Sequence, residues 1–192
     1  MNYQQLCEQL SGRDLIVVDI QPTYGPYIKT FDLEDFTEYL NDTEFKSILY
    51  LYNGPDMGFE DWNEIGYWLM ESGLEEEKFD EMTSFEKGYA FFRSFMDLGM
   101  EERDLIKLLR YMFDSKIYDS RDISEEDWDA LDINWDYDPD GDMVNIPDVL
   151  FQLRQYNNPI VCGGGRDECL AEIELCFKVL DKPYELLERF VY

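Results

Sequence analysis

The chain has 192 residues, and 44 acidic against 16 basic side chains leave it a formal charge of −28 with no histidine; this excludes direct binding to nucleic acid or anionic lipid and every catalytic or metal site built on imidazole. Hydrophobic residues at 45% and aromatics at 16% supply enough apolar surface for a packed core, so the charge is not a sign of disorder, and no apolar run approaches the ~20 residues of a membrane span. The polar stretch from Met1 to Ser11 lacks the layout of a secretory leader, and four cysteines fit a reducing, cytoplasmic setting better than a disulfide framework.

Asp14 to Asp19 is a short apolar run of β-branched character closed by an acid, the pattern of a buried parallel strand. Pro22 and Gly25-Pro26 break the chain. Leu33 to Leu40 is predicted helical with Asp32 as N-cap, and Ser47 to Tyr52 is a second strand ended by Asn53-Gly54-Pro55. Glu60 to Glu71 is a helix stopped by Gly73. Phe79 to Lys87 is a third, weaker strand. Ser94 to Phe113 is a helix in which Leu98, Leu105, Leu108, Leu109 and Met112 recur near the helical period. From Asp114 to Asp142 acids far outnumber Lys116 and Arg121, and the segment reads as a mostly loop-like excursion with a short helix near Glu125 to Leu131. Asp148 to Tyr156 is helical, Pro159 to Gly163 is a strand, Asp167 to Leu180 is a helix with Leu170, Ile173, Phe177 and Leu180 on one face, and Tyr184 to Val191 is a last strand.

Strands alternating with helices imply one α/β domain over residues 1–192, a three-layer sandwich around a mostly parallel sheet of five or six strands, with an acidic insertion at about 114–146. In such sheets chemistry gathers at the carboxyl ends of the strands. That rule selects Asp19, the Lys87 region and the turn Gly163-Gly164-Gly165-Arg166-Asp167-Glu168-Cys169. In the turn, three glycines allow close backbone approach, and Cys169 falls in the first turn of the next helix, where helix amides and dipole favour a thiolate or an oxyanion. A buried, inert cysteine after a glycine turn is the plainer alternative. Asp19 is costly to bury alone, so it is either a functional carboxylate or a structural acceptor of loop amides. Lys87 beside aromatics pairs with a carboxylate or is an ordinary surface charge. The aromatic-rich stretches read as core, and Cys162 and Cys176 as buried thiols; Cys169 and Cys176 are two helical turns apart, too far for a disulfide.

Together these stretches resemble the isochorismatase-like cysteine hydrolases, the superfamily that includes nicotinamidases and N-carbamoylsarcosine amidohydrolase. Its members open with Val-Val-Asp-Met-Gln, here Val17-Val18-Asp19-Ile20-Gln21. They carry a lysine followed by Tyr-x-Ala-Phe, here Lys87-Gly88-Tyr89-Ala90-Phe91, and end on Gly-Val-x-Thr-Asp-x-Cys-Val, here Gly163-Gly164-Gly165-Arg166-Asp167-Glu168-Cys169-Leu170. The resemblance covers about residues 14–110 and 147 to the last residue. It implies Cys169 as nucleophile, Asp19 as the base that takes its proton and later returns one, Lys87 as their electrostatic partner, and an oxyanion hole from the amides near Glu168 and Cys169. Gly164 and Arg166 replace the family's valine and threonine. The expected substrate contacts are Gly164, Gly165, Arg166, Glu168 and Asn53, with Arg166 suited to gripping a carboxylate or phosphate.

The activity implied is hydrolysis of a small amide or related C–N bond through a thioester, with a small-molecule substrate and no required cofactor. The rival is a catalytically silent acidic protein on the same scaffold that engages a basic protein, as a nucleic-acid mimic would. Separately, Asp136, Asp138, Asp140 and Asp142 around Gly141 are a candidate Ca²⁺ loop, because alternating carboxylates gather oxygen ligands around a hard cation. Pro147 stands where a twelve-residue loop places its closing glutamate, and alternating Asp also arises as an ordinary solvated acidic face in such a chain.

Overall fold

The computed structural model describes residues 3–88, 99–133 and 145–192. They fall into two compact units, one formed by Met1–Tyr89, Tyr156–Ala171 and Pro183–Tyr192, the other by Ala90–Gln155 and Glu172–Lys182.

The first unit holds the sheet. Its elements run α1 (Tyr3–Leu10), β1 (Asp14–Val18), α2 (Leu33–Asp42), β2 (Ser47–Tyr52), α3 (Trp62–Glu71), α4 (Glu76–Asp80), β3 (Met82–Glu86), β4 (Ile160–Gly163) and β5 (Glu185–Leu186). The strands pair in the order β3-β2-β1-β4-β5, and every pairing is parallel. Leu15 lies between Ile48 and Ile160, and Val18 between Leu51 and Gly163. Parallel strands have no water-facing side, which is why β1, β2 and β4 are nearly continuous apolar runs. Leu15, Val17, Ile48, Tyr50 and Cys162 share a core with Leu10 of α1, Phe36, Tyr39 and Leu40 of α2, and Ile65 and Leu69 of α3. The alternate residues Ile16, Val18, Leu49, Leu51 and Val161 are equally buried. Both faces are therefore covered, as the three-layer α/β class requires, and each such side chain contributes about 1.5–3 kcal/mol. α3 begins on a capping box in which the Asp61 carboxylate accepts from the Glu64 amide and the Glu64 carboxylate from the Asp61 amide, both at 2.9 Å.

The second unit contains α5 (Glu102–Ser115), α6 (Glu125–Leu131), α7 (Val149–Leu153) and the larger part of α8 (Cys169–Val179). Leu105, Leu108, Leu109 and Met112 form the buried stripe of α5. Arg110 ties α5 to the end of α8 by donating to the carbonyls of Val179 (2.9 Å) and Lys178 (2.6 Å). The short helix expected within the acidic excursion is α6, capped by the Ser124 hydroxyl on the Asp127 amide.

Several boundaries differ from expectation. The third strand starts at Met82, because Glu76–Asp80 forms a helical turn that stacks Phe79 on Trp62 at 4.7 Å. The last strand is only Glu185–Leu186. The chain then tightens into a 3-10 turn that delivers Phe190 to Phe31, Phe36 and Tyr39 at 5.1–5.3 Å between ring centroids. The predicted helix over 148–156 shrinks to Val149–Leu153, and α1 forms within a stretch read only as polar. Within the described residues the helix expected from Ser94 is present as Glu102–Ser115. Among the described residues no helix is long and apolar enough to cross a membrane.

Candidate active site

β1 is central, its neighbours being β2 on one side and β4 on the other, so the chain order reverses beside it. Ligand crevices of parallel sheets open at such a reversal, beyond the carboxyl ends of the strands. Asp19 follows β1 there. Its φ of 48° lies in the left-handed region, which aspartate tolerates better than most residues. The conformation is held from three sides. The Asp19 amide donates to Leu51 O at 2.9 Å, its carbonyl accepts the Tyr192 hydroxyl at 2.8 Å, and its carboxylate meets Lys87 Nζ at 2.8 Å.

Lys87 follows β3, two strands from β1, a span of about 10 Å that only a long side chain covers. Its amide donates to Tyr52 O at 2.8 Å, and its ammonium passes the end of β2, where Asn53 Oδ1 accepts it at 3.2 Å. Asp19 and Lys87 are both sealed from solvent. Asn53 is itself clamped by Gln21, whose Oε1 accepts from the Asn53 amide at 3.0 Å while its Nε2 donates to the Asn53 carbonyl at 3.2 Å. Gln21 also donates to Glu60 at 3.0 Å, and Asn53 Nδ2 donates to the Tyr24 hydroxyl at 3.0 Å. The ammonium therefore has a fixed place rather than a choice of rotamers.

The third group arrives from β4. Gly163 and Gly164 take φ of 80° and 71°. A Cβ on Gly163 would lie 2.2 Å from Val18 O, and one on Gly164 would lie 2.9 Å from Leu170 N. Only glycine brings the turn this close to β1 and sets Cys169 as the first residue of α8. The Cys169 thiol sits close enough to the Asp19 carboxylate to favour its charged form. Burial pushes the Asp19 carboxyl above its ordinary range, and the Lys87 charge, the thiol and the Lys87 hydrogen bond pull the other way. Cys169 is only 8% exposed, and it opens on a cleft of about 560 Å³ lined by Tyr24, Tyr27, Gly165, Arg166, Asp167, Glu168 and Tyr192.

The structure thus gathers Asp19, Lys87, Cys169 and Asn53 in one cluster, and puts Gly165, Arg166 and Glu168 on the cleft wall. Gly164 supports the turn from behind and does not line the cleft. Asn53 touches Lys87 and Tyr24 instead of the cleft. Two of these groups also have partners within the protein. Arg166, assigned to an anionic substrate, is ion-paired with Glu188. The Glu168 amide, assigned to an oxyanion, donates to Gly165 O at 3.0 Å within the turn. Asp136, Asp138, Asp140 and Asp142 lie outside the described residues, and among those described no group of three or more acids or cysteines is set to hold a metal.

Tyr24, Gln21 and Tyr192 belong to the site without having been singled out for it. Gln21 had a signal, its place in Val17-Val18-Asp19-Ile20-Gln21. Tyr192 had none: its backbone donates to Gly164 O at 3.2 Å and accepts from the Arg166 amide at 2.9 Å, clasping the glycine turn from a distant part of the chain. No family model, curated protein or solved structure matches the chain.

Proposed function

We propose that this protein is a cysteine hydrolase of a small amide or related C–N bond, working through a thioester on Cys169 in a reducing, cytoplasmic setting. The observation that carries the reading is the buried Asp19–Lys87 ion pair beside a thiol that lines a cleft. A carboxylate and an ammonium withdrawn from water are expensive to keep, and a thiol contributes little to their stability. The same three residues carry the resemblance to the isochorismatase-like hydrolases.

In the proposed cycle the Cys169 proton passes to the Asp19 carboxylate as sulfur attacks the substrate carbonyl carbon. The tetrahedral species collapses with cleavage of the C–N bond, and the nitrogen leaves with the proton that Asp19 holds. Water then adds to the thioester carbonyl and gives its proton to Asp19. The C–S bond breaks, the carboxylic product leaves, and the proton returns to sulfur. Net, one amide and one water give one carboxylic acid and one amine. Lys87 keeps its charge throughout. It balances whichever of Asp19 or Cys169 is anionic, so the proton moves without creating an isolated buried charge.

Alkylation of the four cysteines by iodoacetamide at neutral pH, followed residue by residue by mass spectrometry, tests this. Cys169 is expected to react far faster than Cys7, Cys162 and Cys176, and Asp19→Asn to slow it by roughly 10²-fold or more, the lower end of general-base effects. Equal, slow labelling of all four, indifferent to Asp19→Asn, would overturn the hydrolase and leave an acidic scaffold that binds a basic partner.

A further inference from the structure

We infer that the cleft above Cys169 takes a small cationic amide, one whose non-reacting end is an ammonium or guanidinium; the inference rests on the hydrolase reading and adds the class of substrate. Three aromatic side chains wall the cleft, Tyr24, Tyr27 and Tyr192. The hydroxyls of two of them are turned into the protein. Tyr24 accepts from Asn53 at 3.0 Å, and Tyr192 donates to Asp19 O at 2.8 Å. What those two offer a ligand is therefore ring surface, whose negative quadrupole attracts a cation.

The charges point the same way. Among the described residues, the two cations that reach this site are held by carboxylates: Lys87 by Asp19 at 2.8 Å, and Arg166 by Glu188. Lys87 is sealed from the cleft, and the charge of Arg166 is offset by its neighbour. The wall also carries the carboxylates of Asp167 and Glu168. The cleft lies in a chain of charge −28, whose field concentrates cations at its openings and repels anions. A volume of about 560 Å³ suits a small ligand seated with its carbonyl on the thiol and its far end among the rings.

Methanethiosulfonates probe this without knowledge of the substrate: cationic 2-(trimethylammonio)ethyl and anionic 2-sulfonatoethyl, which are of similar size, with the smaller neutral methyl as an uncharged reference. In each, the Cys169 sulfur attacks the sulfenyl sulfur, a disulfide forms and methanesulfinate leaves. Rates at Cys169 in the full chain are divided by those of an uncharged model thiol. At physiological salt the cationic reagent is expected to outpace the anionic one strongly. At 1 M salt, where the Debye length is about 3 Å, an advantage of about tenfold should survive as the local contribution of rings and wall acids. Tyr27→Leu and Glu168→Gln, both at exposed positions, should cut that residual advantage several-fold, while Glu76→Gln with Glu77→Gln, on α4, should not.

A cation-to-anion ratio that falls to unity in 1 M salt, or one untouched by Tyr27→Leu and Glu168→Gln, assigns the preference to bulk charge and overturns the cationic substrate while leaving the hydrolase standing. Failure of all three reagents to modify Cys169 faster than Cys162 overturns both.

Discussion

At the scale of single residues, the decisive feature is that Asp19 and Lys87 compensate each other where neither reaches water. Removing one partner strands the other. Lys87→Met and Asp19→Asn are each expected to cost about 3–5 kcal/mol, whereas the double variant should lose far less than the sum, because a well-packed apolar pair often equals a buried ion pair. Urea unfolding of the four proteins measures the cycle. The pH dependence has a definite sign. Burial raises the Asp19 carboxyl in the folded protein above its ordinary value of 3.8. Its contribution is then complete below that unfolded value and declines as pH rises through the folded one. Without Lys87 the folded value moves higher still, so the penalty of Lys87→Met should be larger at about pH 8 than at about pH 5.5. A penalty that shrinks with rising pH would contradict the assignment. Tyr192 acts at the same scale: one side chain fixes the Asp19 carbonyl while its backbone holds Gly164 and Arg166.

At the scale of elements, the turn from β4 to α8 is the piece that cannot be built another way. Gly163 needs both its positive φ and the space that a Cβ would take from Val18 O. Gly12 shares the positive φ but has nothing within 4 Å of its would-be Cβ. Gly12→Ala should therefore cost only the conformational term, about 1 kcal/mol, and Gly163→Ala roughly 2–4 kcal/mol, by denaturant midpoint. Because that turn seats Cys169 against Asp19, Gly163→Ala should also slow Cys169 alkylation, an effect absent from Gly12→Ala.

For the whole molecule, a charge of −28 has an energetic consequence and a functional one. Like charges repel in the folded state, so raising salt from about 0.05 M to about 0.5 M should lift the thermal midpoint by several degrees. A midpoint that falls with salt would show that ion pairs such as Arg13–Glu185 and Arg189–Asp35 outweigh the repulsion. The same field biases which small molecules approach the cleft, a screenable effect distinct from any preference set by the tyrosines and acids of the cleft wall.

Much of this is legible in the sequence. Apolar runs such as Leu15 to Val18 and Ile48 to Leu51, and the stripe Leu105, Leu108, Leu109 and Met112, state element type and burial, because burial of one strand or helix face is written in the spacing of about ten neighbouring residues. The absence of histidine closed off whole reaction classes. A strand-end acid and a thiol after three glycines marked where chemistry could sit. Tertiary structure alone decided the rest: the order β3-β2-β1-β4-β5, the reach of Lys87 across the end of β2 to Asp19, the clamp of Gln21 on Asn53, the clasp of Tyr192 on the glycine turn, and the capture of Arg166 by Glu188. The reason is physical. Strand pairing and ion pairing join residues tens to more than a hundred positions apart, and each is settled by competition among all strands and charges at once, which no local pattern records.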